Sequence, residues 1–218
     1  MRHIERVAKP EILEKKEEEW ISKFLASEKS RPDSSKYGNP KIRERLHTMS
    51  HGKCFYCETL LEAGTAKEID HFIEVAEDKS LAYRWDNLYL ACSNCNAKVP
   101  NRSIPASSVL DPCHDTDEEI AKHLTFEDET IQTVANSKKG LDTIRKYKLG
   151  SELLDRMRGK KLHKFNNTLI EFLLLQQGSP FSDKQKQILH DFANADRPYS
   201  LMFKTLIAKY EDVLGEIE

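Results

Sequence analysis

Nowhere does this chain of 218 residues approach the ~20 consecutive apolar residues needed to cross a bilayer. Its opening, MRHIERVAKPEILEKKEEEW, also lacks the apolar run of a secretory signal. The expectation is a cytoplasmic protein with no membrane partner. Net charge is small as well: 34 Lys and Arg stand against 36 Asp and Glu, a formal charge of −2. Composition therefore argues against both a histone-like coat for DNA and an acidic disordered tail. There is no internal repeat, and cysteines number only five. A chain of this length can bury a proper core without disulfide staples. In a reducing compartment, closely spaced cysteines are metal ligands before they are disulfides.

What charge there is lies in blocks. Residues 138–164 hold ten Lys and Arg against Asp142, Glu152 and Asp155, whereas residues 111–130 hold eight acids against Lys122. Apolar residues near helical spacing predict a helix over 10–27, with EKKEEE as its solvated face, and another after the cap Asn39 and Pro40. Beyond the loop VPNRSIPASSVLDP the chain reads as helical to its end. A long helix is expected from a cap at Ser151 to about Gln177, then one from the capping box SDKQ at 182–185, then one from Pro198 through Leu214. Their stripes read as core, with part of that surface left for a partner subunit. The basic block reads partly as a solvated face and partly as a nucleic-acid contact.

Cys54-Phe-Tyr-Cys57 and Cys92-Ser-Asn-Cys95 are two Cys-x-x-Cys knuckles separated by residues 58–91. Four thiolates so paired suit a structural Zn2+ with a closed coordination sphere. The stretch between them is longer than in compact zinc ribbons, so it must form structure of its own. It contains KEIDHF, a short strand in which alternation puts Asp70 and His71 on opposite faces unless a bulge intervenes. It then runs to WDNLYLACSNCNAK, with Asn87 before an apolar run and Asn96 directly after the last cysteine.

A knuckle, an acid before His, then Asn, then a second knuckle followed by Asn resembles the HNH nuclease family in its His-Asn-Asn form. The resemblance covers residues 54–98 and implies a ββα-metal, treble-clef-like fold. The whole chain is thus expected to be α+β and mostly α-helical: helices over 1–50, an HNH module over 51–105, and helices over 106–218. Phosphodiester hydrolysis needs a base for water, a cation for charge on the phosphoryl oxygens, and in-line geometry. His71 is the candidate base, and Asp70 and Asn96 are candidate oxygen ligands for Mg2+ or Mn2+. Asn87 is carried over as a positioning residue. Arg84 and Lys98 are candidate phosphate contacts, and Cys113 reads as a buried residue outside both metal sites.

The flanks KIRERLHTMSHGKCFYCE, WDNLYLACSNCNAKVPNRSIP, LDPCHD and KHLTF are similar, in this order, to PtuB-like HNH subunits of Septu-type anti-phage systems. That resemblance implies a nucleic-acid substrate, DNA or structured RNA such as tRNA. It also implies an ABC-type ATPase partner of the PtuA kind and, in retron settings, a reverse transcriptase with its multicopy DNA. The chain departs from the family in having Asp70 rather than Glu before the histidine and HFIEVAEDK after it.

Overall fold

The computed structural model describes residues 1–61, 67–176 and 180–210. Helix α1 spans Glu11–Leu25 and buries Leu13, Glu17, Ile21 and Phe24, the three-to-four spacing that marks one helix face. Glu17 is an exception to the solvated reading of EKKEEE. It is buried and takes Trp85 N at 3.2 Å, Arg84 at 2.9 Å and Lys9 at 3.1 Å, tying α1 to the turn that precedes the second strand. A short helix α2, Ser34–Tyr37, is capped by Asp33. Helix α3, Pro40–Met49, is capped as expected by the Asn39 side chain on Lys41 N, with Pro40 at its first position. The chain leaves α3 through Gly52 at φ +73, where an added Cβ would meet the His47 ring at 3.0 Å. Close approach and a left-handed backbone both call for glycine there.

Strands β1, Glu68–His71, and β2, Leu88–Ala91, pair antiparallel with Asp70 opposite Tyr89 and His71 opposite Leu88. Helix α4, Ser93–Asn96, follows and packs on both strands, completing a ββα unit. All four residues of β2 are buried, because α3 and the first knuckle cover what would otherwise be the open side of a two-stranded ribbon.

The second half is not helical throughout. After helix α5, Asp117–Ala121, comes an antiparallel hairpin, β3 Leu124–Glu127 with β4 Thr130–Thr133, turned at Asp128 with φ 50°. Leu124, Phe126 and Ile131 alternate inward. Helices α6 Lys138–Lys146, α7 Glu152–Gln176, α8 Asp183–His190 and α9 Ser200–Lys209 complete the described part. Ser151 precedes α7 but gives its hydroxyl to Asn94 Oδ1 at 3.3 Å rather than capping the helix amides. The capping box at Ser182 and Gln185 is formed.

Helix α9 begins two residues later than Pro198 predicts. Tyr199 is left-handed at φ 59°, and its hydroxyl lies 3.1 Å from Thr59 Oγ1. The Glu58 carboxylate then serves the new helix end, accepting from Ser200 Oγ at 2.5 Å and from Leu201 N at 3.4 Å. Negative charge at a helix N-terminus is stabilising. Burial pushes the Glu58 carboxyl up, but the Met1 ammonium at 2.9 Å and Lys53 outweigh it and hold the group down at about 2. The Leu214 end of the predicted helix and the predicted stop at Gln177 lie outside the described residues.

The α7 stripe is only partly core. Leu154, Leu162 and Phe165 are buried, whereas Ile170, Leu173, Leu174 and Leu175 are 46 to 74% exposed. Two members of the basic block are buried and structural. Lys146 donates to Val99 O, Asn101 Oδ1 and Ile104 O at 3.1, 2.6 and 2.7 Å, fastening the chain after the second knuckle. Arg158 donates to Glu129 O at 2.7 Å and Leu149 O at 2.9 Å.

Candidate active site

Two centres share the ββα unit. In the first, the sulfurs of Cys54, Cys57, Cys92 and Cys95 all lie within 4.8 Å of one another. Cys57 and Cys92 Sγ stand 3.7 Å apart, close to the ~3.8 Å edge of a tetrahedron with Zn–S bonds of about 2.3 Å. Without a cation, burial and crowding by neighbouring thiols push Cys54 up, and the same neighbours push Cys95 up, while hydrogen bonds from the other three draw Cys92 down. A divalent ion is what would let all four be thiolates at once. The donor set and its spacing fit zinc, and four protein ligands leave no position for substrate. Cys113 stands apart from the cluster. It is buried beside Tyr89 and Arg6, and burial pushes its thiol up to about 12.

The second centre is an open cavity of about 750 Å³, lined among others by Arg31, Tyr37, Asp70, His71, Asn96 and Lys98. Asp70 and His71 alternate along β1 as expected, yet both reach this cavity because His71 is the last residue of the strand. Buried Asp70 accepts from Tyr56 Oη at 2.6 Å and Lys98 Nζ at 2.8 Å. Both bonds fall on Oδ2, so Oδ1 takes no partner among the described residues. Tyr56 stays a phenol, since burial and then the Asp70 charge raise its pKa. Its ring is stacked on Tyr147 at 3.9 Å. The donor sits between the two cysteines of the first knuckle, so the thiolate centre and the carboxylate share one short stretch of backbone.

His71 Nε2 lies 2.8 Å from the carbonyl of Ala82. A carbonyl can only accept, so Nε2 carries the hydrogen and a neutral ring presents its lone pair at Nδ1. Burial pushes the imidazole below its ordinary pKa, opposed by the Ala82 carbonyl and the Asp70 charge. Tyr37 meets the ring edge-on, centroids 4.9 Å apart. Asn87 holds the loop that carries this arrangement. Its Oδ1 accepts from Ile73 N at 2.7 Å, and its Nδ2 donates to Ile73 O at 2.9 Å and Leu81 O at 3.2 Å. Asn87 is buried and does not line the cavity. Asn96, half-buried at the end of α4, makes no side-chain hydrogen bond among the described residues. Two uncommitted oxygens, one from Asp70 and one from Asn96, in a cavity with room for water and phosphate suit a hard divalent cation such as Mg2+.

The two cations nominated from sequence are both engaged within the chain. Lys98, with its side chain 5% exposed, bonds Asp70 Oδ2 and the carbonyls of His71 and Phe72. Arg84 pairs with Glu17 and Glu18 and lines a different cavity. Sequence reasoning missed Tyr56, although its place inside the knuckle was a usable signal. It also missed Tyr37, for which the sequence offers none, because tertiary packing alone brings α2 to the imidazole.

Residues 54–102 match the model of the HNH endonuclease family. The chain is similar to the Septu protein PtuB of Bacillus mycoides (strain KBAB4), 26% identical over 206 residues that cover 77% of this chain and 69% of that protein. It is also similar to the Septu protein PtuB of Bacillus thuringiensis, 31% identical over 117 residues covering 53% of this chain and 44% of that one. The stretch that matches the HNH endonuclease model thus lies within a sequence similar to PtuB.

Proposed function

We propose that this protein is a metal-dependent HNH endonuclease and the nuclease component of an anti-phage defence assembly. The observation that supports this best is the convergence on one cavity of His71 Nδ1, Asp70 Oδ1 and the Asn96 side-chain amide, all of which lack hydrogen-bond partners among the described residues. A zinc-stabilised binding module has no need of a base beside a carboxylate.

In this reading His71 Nδ1 takes the proton from the attacking water while the Ala82 carbonyl and the Tyr37 ring hold the imidazole in place. Asp70 and Asn96 would hold Mg2+ or Mn2+, which would supply Lewis-acid stabilisation of charge on the phosphoryl and leaving oxygens. Asn87 fixes the loop behind the base, and the zinc-bound knuckles hold β1, β2 and α4 together. The substrate class is DNA or structured RNA such as tRNA. The similarity to PtuB supports an ABC-type ATPase partner and, where the protein accompanies a retron, a reverse transcriptase with its multicopy DNA. The exposed Ile170, Leu173, Leu174 and Leu175 of α7 offer that partner an apolar surface. Among the described residues no helix is long and apolar enough to cross a membrane.

The test is to incubate the subunit, alone and assembled, with plasmid DNA and total RNA in Mg2+ or Mn2+, and to sequence the new ends. His71→Ala should keep its zinc and fold while cleavage falls by a factor of about 100 or more. Asp70→Ala and Asn96→Ala should recover part of their activity at high Mn2+, and His71→Ala should not, because added metal refills a weakened site but supplies no proton acceptor. Cleavage retained by His71→Ala, with host nuclease excluded by an inactive control, removes this residue as the base.

A further inference from the structure

A polyanion entering the cavity meets two carboxylates, Asp70 and Glu74, so beside the divalent ion proposed at Asp70 and Asn96 a side-chain cation is wanted to hold the strand. Lys98 cannot serve, because an ammonium has three donors and all three have acceptors in Asp70 Oδ2, His71 O and Phe72 O. Arg84 is neutralised by Glu17 and Glu18 and lies elsewhere. Arg31 is different. It is exposed, lines the cavity with Asp70, His71 and Asn96, and has no ion pair or hydrogen bond among the described residues.

The segment that carries it is nevertheless anchored on both sides. Lys29 O accepts from Lys79 Nζ at 3.0 Å, and Asp33 N donates to the buried Tyr83 hydroxyl at 2.9 Å. A few residues on, Tyr37 lies against the His71 ring. The segment bearing Arg31 thus borders the cavity with Tyr37 against the imidazole, and it lies outside the residues that match the nuclease family.

Resting on the reading of this cavity as a hydrolytic centre, we infer that Arg31 binds the phosphodiester backbone of the substrate strand. The planar guanidinium, with five N–H donors, matches a phosphate bidentately. Residues 30–37 then form a substrate-holding wall that the nuclease module does not itself supply.

The experiment measures binding of fluorescent DNA and RNA oligonucleotides to the full chain in Mg2+ across a salt series, in a His71→Ala background that does not consume them. Arg31→Ala should weaken binding about tenfold at low salt. It should also reduce the slope of log K against log salt by about 0.9 for a duplex or about 0.7 for a single strand. Arg31→Lys should keep the slope and lose part of the affinity. Zinc content and thermal melting should be unchanged, since the side chain makes no hydrogen bond or ion pair among the described residues. Parental affinity and slope in Arg31→Ala overturn the inference and leave the hydrolytic reading standing. Failure of the parent to bind either strand overturns the reading itself.

Discussion

The two centres of the ββα unit differ in how they are furnished. The thiolate centre is closed: all four donors come from two knuckles of the same module, three of them buried. The cavity is open, and its furniture comes from three places: β1 and α4 supply Asp70, His71 and Asn96, the first knuckle supplies Tyr56 behind Asp70, and residues 30–37 supply Tyr37 and Arg31. A closed site can be specified by local spacing. An open one, which must leave positions for water and substrate, borrows its walls from wherever the chain folds back.

The sharpest way to break this comparison is to damage the closed centre. Cys57→Ser removes one of four ligands from a site whose metal binding is coupled to folding. It should abolish zinc binding, cooperative unfolding and cleavage together, as read by metal analysis and thermal melting. Cys113→Ser, outside the cluster, should leave zinc content unchanged. A folded, active Cys57→Ser protein without zinc would show that the knuckles do not need their ion.

A subtler substitution probes the join between the centres. Tyr56→Phe keeps the stacked ring and deletes only the hydrogen bond to Asp70 Oδ2. Loss of an outer partner of a ligating carboxylate typically weakens metal binding by about 10- to 100-fold. Mn2+ binding, followed from the free-ion EPR signal without substrate, should weaken about tenfold while zinc content is unchanged. Unaltered Mn2+ binding would make the two centres independent.

The smallest effect expected is in the pH profile. Burial favours the neutral imidazole of His71, and the neutral form is the one that accepts a proton. The rising limb of kcat/KM should therefore have its midpoint below the ordinary histidine value of about 6.5. The same depression makes the unfolded chain bind the proton more readily, so His71 contributes stability that is lost as pH falls below about 6.5. A midpoint above that value would assign the limb to another group.

How much of this was legible depended on whether spacing or contact decides. The knuckles and the Asp70, His71, Asn87 and Asn96 pattern lie in under 50 residues, where residue type and interval carry most of the information. The β3–β4 hairpin was missed although Leu124, Phe126 and Ile131 alternate, because four-residue strands joined at Asp128-Glu129 lack the Asn-Gly turn that advertises a hairpin. The start of α9 was misplaced because a carboxylate distant in sequence, Glu58, receives its first turn. Lys98 and Arg84 show the limit most plainly. Sequence reveals a charge, but only the fold reveals that the charge is already answered.

Tyr56 leaves a lesson for the bench. Because the middle of the first knuckle holds the carboxylate of the cavity, a chelator that takes the ion from the thiolates should loosen Tyr56, one of the two partners of Asp70 Oδ2, and leave Lys98 as the other. Cleavage that stops on treatment with a zinc-selective chelator, and stays stopped when Mg2+ is supplied in excess, is therefore no sign that zinc takes part in hydrolysis. On the proposed reading, loss of the ion at the thiolates would silence hydrolysis at the cavity without touching the substrate.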